Sequence, residues 1–394
     1  MDESERIPVH GKLFYRGIDL ETIVQACQAE KRFGFEEVVY LLLFGVLPTK
    51  SELDSFCSLM GSVRFLPGGF AEDSIMKLPS RDVMNELAHS VLALYSYDEN
   101  PEDLSPENVL RQCIELISRF PAIISYAYRA KAHYFDHKSL ILHQQDPNLC
   151  TAEAILSLVR RDQNFSALEA QVLDLVLMLH AEHGGGNNST FAVHVVSSTD
   201  TDTYSAISAG LASLKGPKHG GANAKGLGMM ADIEEHVENW ENDDEITSYL
   251  EKIIRGEAYD GSGLIYGFGH AVYTLSDPRA ILLREKAFEL ATEKDCIEEF
   301  NLYRRIERLA PEVLKRFMDS TKEICVNVDF YSGFVYKMLD ISSDLHTPLF
   351  AVSRVVGWCA HRLEEIISGR RIIRPAYKCV QAHAQYTLLQ DRKI

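Results

Sequence analysis

Three histidines of this chain stand among glycines. "LHAEHGGGNNST" carries His183, "LKGPKHGGAN" carries His219, and "YGFGHAVYTLSDPRA" carries His270. Glycine lets backbone approach a ligand closely. Histidine can move or donate a proton near neutral pH. After His183, three glycines and two asparagines could present N–H groups and amides to an anion. His180, three residues before His183, raises the idea of a shared metal. The pair is not H-E-x-x-H and no third ligand is evident, so no metal is expected. His180 reads instead as a core or capping histidine.

An acid and three arginines complete the chemistry. Asp329 lies in "ICVNVDFYSG" between Val328 and Phe330. Desolvation there would raise its pKa and suit it to act as a base; the plainer alternative is a helix N-cap. Arg279 follows Asp277-Pro278, which read as N-cap and first residue of a helix. A cation in a first turn opposes the helix dipole and wants an anion, for which the helix end adds donors. Arg354 sits in the apolar stretch "AVSRVVGWCAH", where a guanidinium is costly unless paired. Arg374, in "RRIIRPAYK", is either a solvated tail residue or a further clamp. Together these residues suggest acid–base chemistry on a small polyanion.

Helices must position them. "FEEVVYLLLFGVLPT" is an apolar helix stopping at Gly45 and Pro48, and "SELDSFCSLM" opens with Ser51 as N-cap. "PENVLRQCIELISRFPAIISYAYRAKAHY" reads as two helices broken at Pro121. Later helices take caps at Thr201 and Asp277, one stops at Gly256, and a long helix begins at "DLHTPLF". The chain reads as all-α, with more than a dozen helices and no repeat. Glycine-rich breaks at 184–186, 216–228 and 256–269 could act as hinges. "GSGLIYGFG" tempts a dinucleotide reading, but no hydrophobic strand precedes it.

The 394 residues are 46% hydrophobic, enough for a sizeable core, with a net charge of -17. That charge argues against nucleic-acid binding and requires any anionic substrate to be held by local arginines. The longest apolar run, near Val38 to Leu47, is too short to span a bilayer, and the first residues lack a signal-peptide pattern. Eight cysteines form no C-x-x-C pair, which fits a reducing compartment. A cytoplasmic protein without a membrane partner is expected.

The segments "HGGGNNST", "GPKHGGAN", "GFGHAVYTLSDPR", "NVDFYSG" and "SRVVGWCAH", in this order, resemble the citrate synthase family. So does "LFYRGIDLE…FEEVVYLLLFGVLPT", and the resemblance covers nearly the whole chain. It implies an all-α fold with a large domain, 1–223 and 331–394, and a small domain, 224–330, that closes over the substrate. It implies Asp329 as the base that takes a proton from the methyl group of acetyl-CoA. His219 would stabilise the enolate and His270 would polarise the ketone of oxaloacetate. His183, Arg279 and Arg354 would hold the carboxylates, and Arg374 would reach the neighbouring site of a homodimer. Coenzyme A is implied as a co-substrate along Leu264, Ile265, Tyr266, Gly267, Phe268 and Gly269, with Lys322 near its phosphates.

Departures from the family pattern fall beside the coenzyme A region. Ala271 and Thr274 stand where relatives often carry basic residues, and Glu323 stands beside Lys322. A different set of phosphate contacts is therefore expected. 2-Methylcitrate synthases, which use propionyl-CoA, share every motif above. The other readings are an oxaloacetate-binding protein without turnover and a metal hydrolase using His180 and His183.

Overall fold

The computed structural model describes residues 9–269, 272–318, 323–369, 371–378, 380, 385–386 and 388–392. Among them the chain forms fifteen α-helices and one short hairpin, Phe14–Tyr15 with Ile18–Asp19. The all-α expectation holds.

The first nine helices are α1 (Leu20–Ala29), α2 (Phe35–Phe44), α3 (Lys50–Val63), α4 (Val83–Leu94), α5 (Pro106–Tyr134), α6 (Thr151–Val159), α7 (Ala167–His180), α8 (Asn188–Ser197) and α9 (Thr203–Leu214). Then come α10 (Ala222–His236), α11 (Asp243–Ile254), α12 (Pro278–Glu293), α13 (Ile297–Met318), α14 (Val328–Met338) and α15 (His346–Ser368). Helix α15 runs through the core and packs on α5, α7, α8 and α9. Trp358, Val355, Val356 and Cys359 along it are fully buried. Helices α10 and α12 pack on α14, and α11 packs on α13. Contacts of α12 with α7 and of α10 with α15 connect these layers.

Local signals explain most boundaries. Helix α2 stops at Gly45, whose φ of 79° is left-handed backbone that glycine adopts without a Cβ clash. Gly256, at φ 73°, follows α11 in the same way. Two caps differ from expectation. Thr49, not Ser51, caps α3: its hydroxyl accepts from Glu52 N while Glu52 accepts from Thr49 N, a reciprocal pair that fixes the start two residues earlier. Asp202, not Thr201, caps α9, because its carboxylate accepts from Ser205 N at 2.8 Å.

The expected break at Pro121 is also absent, since α5 is continuous through it. An interior proline costs about 3 kcal/mol. Its neighbours Phe120, Ile123 and Ile124 are fully buried, each contributing roughly 1.5–3 kcal/mol, so packing outweighs the lost hydrogen bond. The Ser125 hydroxyl donates to the Pro121 carbonyl at 2.7 Å.

The glycine run before His270 follows α11 rather than a strand, as expected for a chain without a dinucleotide fold. Phe268 bridges Val326; Gly269 N donates to Cys325 O and Asn327 N to Gly267 O, both at 2.9 Å. At the other end of the chain, the residues before the hairpin lie on the loop leading into α12. His10 Nδ1 is 3.0 Å and Gly11 N 3.2 Å from Ser276 Oγ, and a Cβ at Gly11 would collide with the Ser276 carbonyl and the Tyr273 ring. The seven described cysteines are free, and Cys27, Cys113 and Cys359 are buried. Among the described residues no helix is long and apolar enough to cross a membrane.

Candidate active site

Arg354 lies at the centre of the site, 1% exposed on α15. Among the described residues it does not form the buried ion pair its sequence context suggests. Nε donates to the His180 carbonyl at 2.7 Å, the guanidinium lies 4.7 Å from the Phe350 ring centre, and Nη1 has no hydrogen-bond partner among the described residues. Burial draws its pKa down, and the opposing charge of Glu182 only partly compensates. An unpaired buried cation is expensive, so a bound anion would be strongly favoured there.

His180 is the core histidine expected. It is buried, Nδ1 is 2.9 Å from Val176 O, and the ring packs on Phe350. Burial brings its pKa down to about 3, so it is neutral. His183, three residues on, is half-buried with its ring 5.8 Å from that of Tyr273. The turn between them is fixed by Tyr15, whose hydroxyl donates to Met178 O at 2.8 Å, and by Glu182, which accepts from Gly184 N. Gly184 has a φ of 87°.

His219 lies in a tight glycine turn: its N–H donates to Gly216 O at 2.8 Å and Gly220 N to Leu214 O at 3.0 Å. Nε2 is 3.1 Å from Asn187 Oδ1 and 3.2 Å from Ser189 Oγ. The Ser189 hydroxyl can donate to that nitrogen, which puts the single N–H of the neutral ring on Nδ1. Burial, then the charge of Arg354, lowers the pKa and keeps the ring neutral.

Asp329 occupies the first turn of α14, whose N-cap is Asn327. The N-cap alternative for Asp329 therefore fails. The residue is partly exposed, yet burial dominates its carboxyl and lifts the pKa to about 6 against the pull of Arg279 and Arg354. Among the described residues no hydrogen bond reaches that carboxylate.

Arg279, 3% exposed, opens α12 as expected, but it already has a partner. Nε donates to Asp277 Oδ1 at 3.0 Å and Nη2 to Asp277 Oδ2 at 2.7 Å. Asp277 also caps the helix through Arg279 N and accepts from Val328 N at 3.3 Å, so one carboxylate ties "DPR" to "NVD". Tyr273 lies 5.5 Å beneath the guanidinium, between Arg279 and His183.

The structure thus places His219, Arg279, Asp329 and Arg354 within reach of one another's charge, with His183 joined to them through the Tyr273 ring. It does not bring in Arg374, which is exposed and makes no hydrogen bond or ion pair among the described residues. His270, Ala271 and Lys322 lie outside the described residues. In the expected coenzyme A stretch, Leu264 is exposed, Ile265 is buried, and Tyr266 donates to Asp260 at 2.7 Å. Gly267, at φ 83°, passes so close to Phe330 that a Cβ would be 2.8 Å from it. Thr274 is half-buried, and Glu323 pairs with Lys315 at 2.7 Å. Sequence reasoning missed Asn187 and Ser189 as partners of His219, and Asp277 as the partner of Arg279. Only Asp277 had a local signal, its spacing of two from Arg279.

A separate concavity of about 920 Å³ is lined by Arg129, Arg160, Lys294 and Lys337 among others and contains none of these residues. Its cations are largely engaged: Arg160 and Lys294 with Glu169, Lys337 with Glu234.

An all-α chain that gathers buried arginines, a neutral imidazole and a carboxyl of raised pKa has the makings of an acid–base enzyme for small anions. The family described as "Citrate synthase, C-terminal domain" matches residues 2–376. The citrate synthase of Haloferax volcanii is 33% identical over 93% of this chain and 88% of its own. The 2-methylcitrate synthase of Shewanella oneidensis is 31% identical over 97% and 90%. The solved citrate synthase of Pyrobaculum aerophilum superposes with a TM-score of 0.80 at 31% identity, covering 97% of this chain and 90% of that one. That of Thermoplasma acidophilum, a ternary complex with carboxymethyl coenzyme A and oxaloacetate, gives 0.79 at 27% identity, covering 97% and 93%. The chain belongs to the citrate synthase family, and is an enzyme of the class that transfers an acyl group to oxaloacetate.

Proposed function

We propose that this enzyme condenses acetyl-CoA with oxaloacetate and hydrolyses the citryl thioester to citrate and coenzyme A. The observation that carries the reading is Asp329: a carboxyl with a pKa near 6, free of hydrogen bonds among the described residues, held within the field of Arg279 and Arg354. A carboxylate of raised pKa is a stronger base, and the two arginines keep it ionised near neutrality.

In this mechanism Asp329 removes a proton from the acetyl methyl. That proton is very weakly acidic, so stabilising the enolate oxygen must supply much of the barrier reduction. Neutral His219 does so by donating an N–H, without the competing reaction of a stronger acid. His270 polarises the ketone of oxaloacetate, and the enolate carbon attacks it. His183, Arg279 and Arg354 hold the carboxylates; the unpartnered Nη1 of Arg354 is a donor suited to one of them. Residues 264–269 receive coenzyme A, with Lys322 near its phosphates. Residues 224–330 act as a small domain that closes on the rest and excludes water. The working form is a homodimer in the cytoplasm, in which Arg374 completes the partner's site.

The similarity to 2-methylcitrate synthases supports a second acyl substrate, propionyl-CoA. One methyl group is worth only about 1–3 kcal/mol of discrimination. The test is free-thiol release with oxaloacetate and each acyl-CoA in turn. Release with acetyl-CoA at a higher kcat/KM supports the reading, preference for propionyl-CoA turns it to 2-methylcitrate synthesis, and release with neither overturns both. A metal hydrolase using His180 is disfavoured, because that ring is buried on Phe350 with Nδ1 on the Val176 carbonyl.

A further inference from the structure

Behind the His183 turn lies a second cluster of ionisable groups that the reaction above does not use. His194 projects from α8, and His361, Glu364 and Glu365 from α15. His194 Nε2 is 3.0 Å from His361 Nδ1, and His361 Nδ1 is 2.9 Å from Glu364 Oε2. These three atoms all lie within 4.8 Å of one another. Each of the three side chains is held from its far side. His194 Nδ1 is 3.0 Å from Glu365 Oε2, His361 Nε2 is 3.2 Å from Glu182 Oε1, and Glu364 Oε1 pairs with Arg16.

We propose that His194 Nε2, His361 Nδ1 and Glu364 Oε2 bind a divalent cation of the zinc class. Two imidazoles and a carboxylate are a donor set that such an ion accepts. Metal-bound histidines characteristically give their other N–H to a carboxylate or carbonyl, which fixes the tautomer and strengthens the ligand. Both imidazoles have that partner here, Glu365 and Glu182, and the remaining nitrogens face each other. Ligands around tetrahedral zinc sit roughly 3.3 Å apart for bonds of about 2.0–2.1 Å. The observed separations of 2.9 and 3.0 Å open slightly on binding, while His194 Nε2 and Glu364 Oε2, within 4.8 Å of each other, draw toward the same spacing.

Gly185 covers the cluster. A Cβ built there would lie 3.6 Å from His194 Nε2 and 3.8 Å from His361 Nδ1. The cation would therefore join α8 to α15 directly beneath the turn that carries His183. Its role is structural, and it takes no part in the acyl transfer.

The test uses the full-length protein stripped with a chelator and titrated with Zn²⁺, without substrates, so it does not depend on the proposed activity. Wild type should bind one Zn²⁺ per chain and show a higher Tm with the metal. His194→Gln should lower affinity by at least 100-fold and lose the Tm rise. Glu365→Gln, which removes only the outer partner of His194, should weaken binding by about 10–100-fold. X-ray absorption of the loaded protein should show only nitrogen and oxygen neighbours at about 2.0–2.1 Å. Absence of stoichiometric binding to wild type, unchanged binding in His194→Gln, or sulfur at about 2.3 Å would each overturn the assignment. The wild-type titration and absorption spectrum keep the test decisive should a variant fail to fold.

Discussion

Asp277 grips Arg279 from two residues away, both oxygens engaged and both side chains buried. The arginine's orientation is thus fixed within its own chain, and its charge is only partly spent, since it still pulls on the Asp329 carboxyl. Replacing Asp277 by Asn keeps a side chain able to cap α12 but removes the charge. Breaking a buried pair from one side costs about 3–5 kcal/mol. Denaturant unfolding of Asp277→Asn should show a loss of that order, and the KM for oxaloacetate should rise. Wild-type stability and KM would mean that the pairing is incidental.

Asp329→Asn should end condensation while leaving oxaloacetate binding measurable. It should also stabilise the protein. The folded state holds the Asp329 proton up to about pH 6, whereas an ordinary unfolded carboxyl releases it near 4, so wild type loses stability as pH rises through that window. A shift of about two units corresponds to roughly 3 kcal/mol at most. Thermal unfolding should show the variant equal to wild type at pH 4 and more stable at pH 8. A variant less stable at pH 8 would contradict the raised pKa.

His219→Ala should lower kcat by about 10²–10³, the cost of losing one oxyanion donor, with oxaloacetate affinity nearly unchanged. Asn187→Ala would leave His219 Nε2 with only Ser189, and a smaller fall in kcat is expected. Steady-state kinetics of both variants would decide this. An unchanged kcat in His219→Ala would remove the residue from its role.

Arg374 is exposed, so Arg374→Ala should leave Tm unchanged. If it serves the partner's site, the variant should nonetheless bind oxaloacetate weakly. Mixing Arg374→Ala with Asp329→Asn subunits should restore activity, because the hybrid dimer collects both lesions in one site and leaves the other intact. No recovery after verified subunit exchange would confine Arg374 to its own chain.

What was legible in the chain was what local chemistry decides. Gly45, Gly256 and the Asp277-Pro278 start of α12 act on their own neighbours, and each does what its type suggests. Misjudged boundaries arose where two local signals competed, as with Thr49 against Ser51 and Asp202 against Thr201. Pro121 misled because burial on other helices overrides an intrinsic helix breaker. Partners distant in the chain were not readable at all. Nothing near Arg354 announces that its Nε rests on a carbonyl 174 residues away, and nothing near His194 announces His361. Motif resemblance filled part of that gap by naming residues that the fold then brought together.

The contact of Gly11 with Ser276 spans 265 residues, and Ser276 immediately precedes the Asp277 that aims Arg279. During synthesis the segment before the hairpin must wait until the α12 loop has emerged. Long-range closure of this kind is slow relative to the formation of individual helices. The loop that opens α12 should therefore settle later than the individual helices that form locally on either side of it.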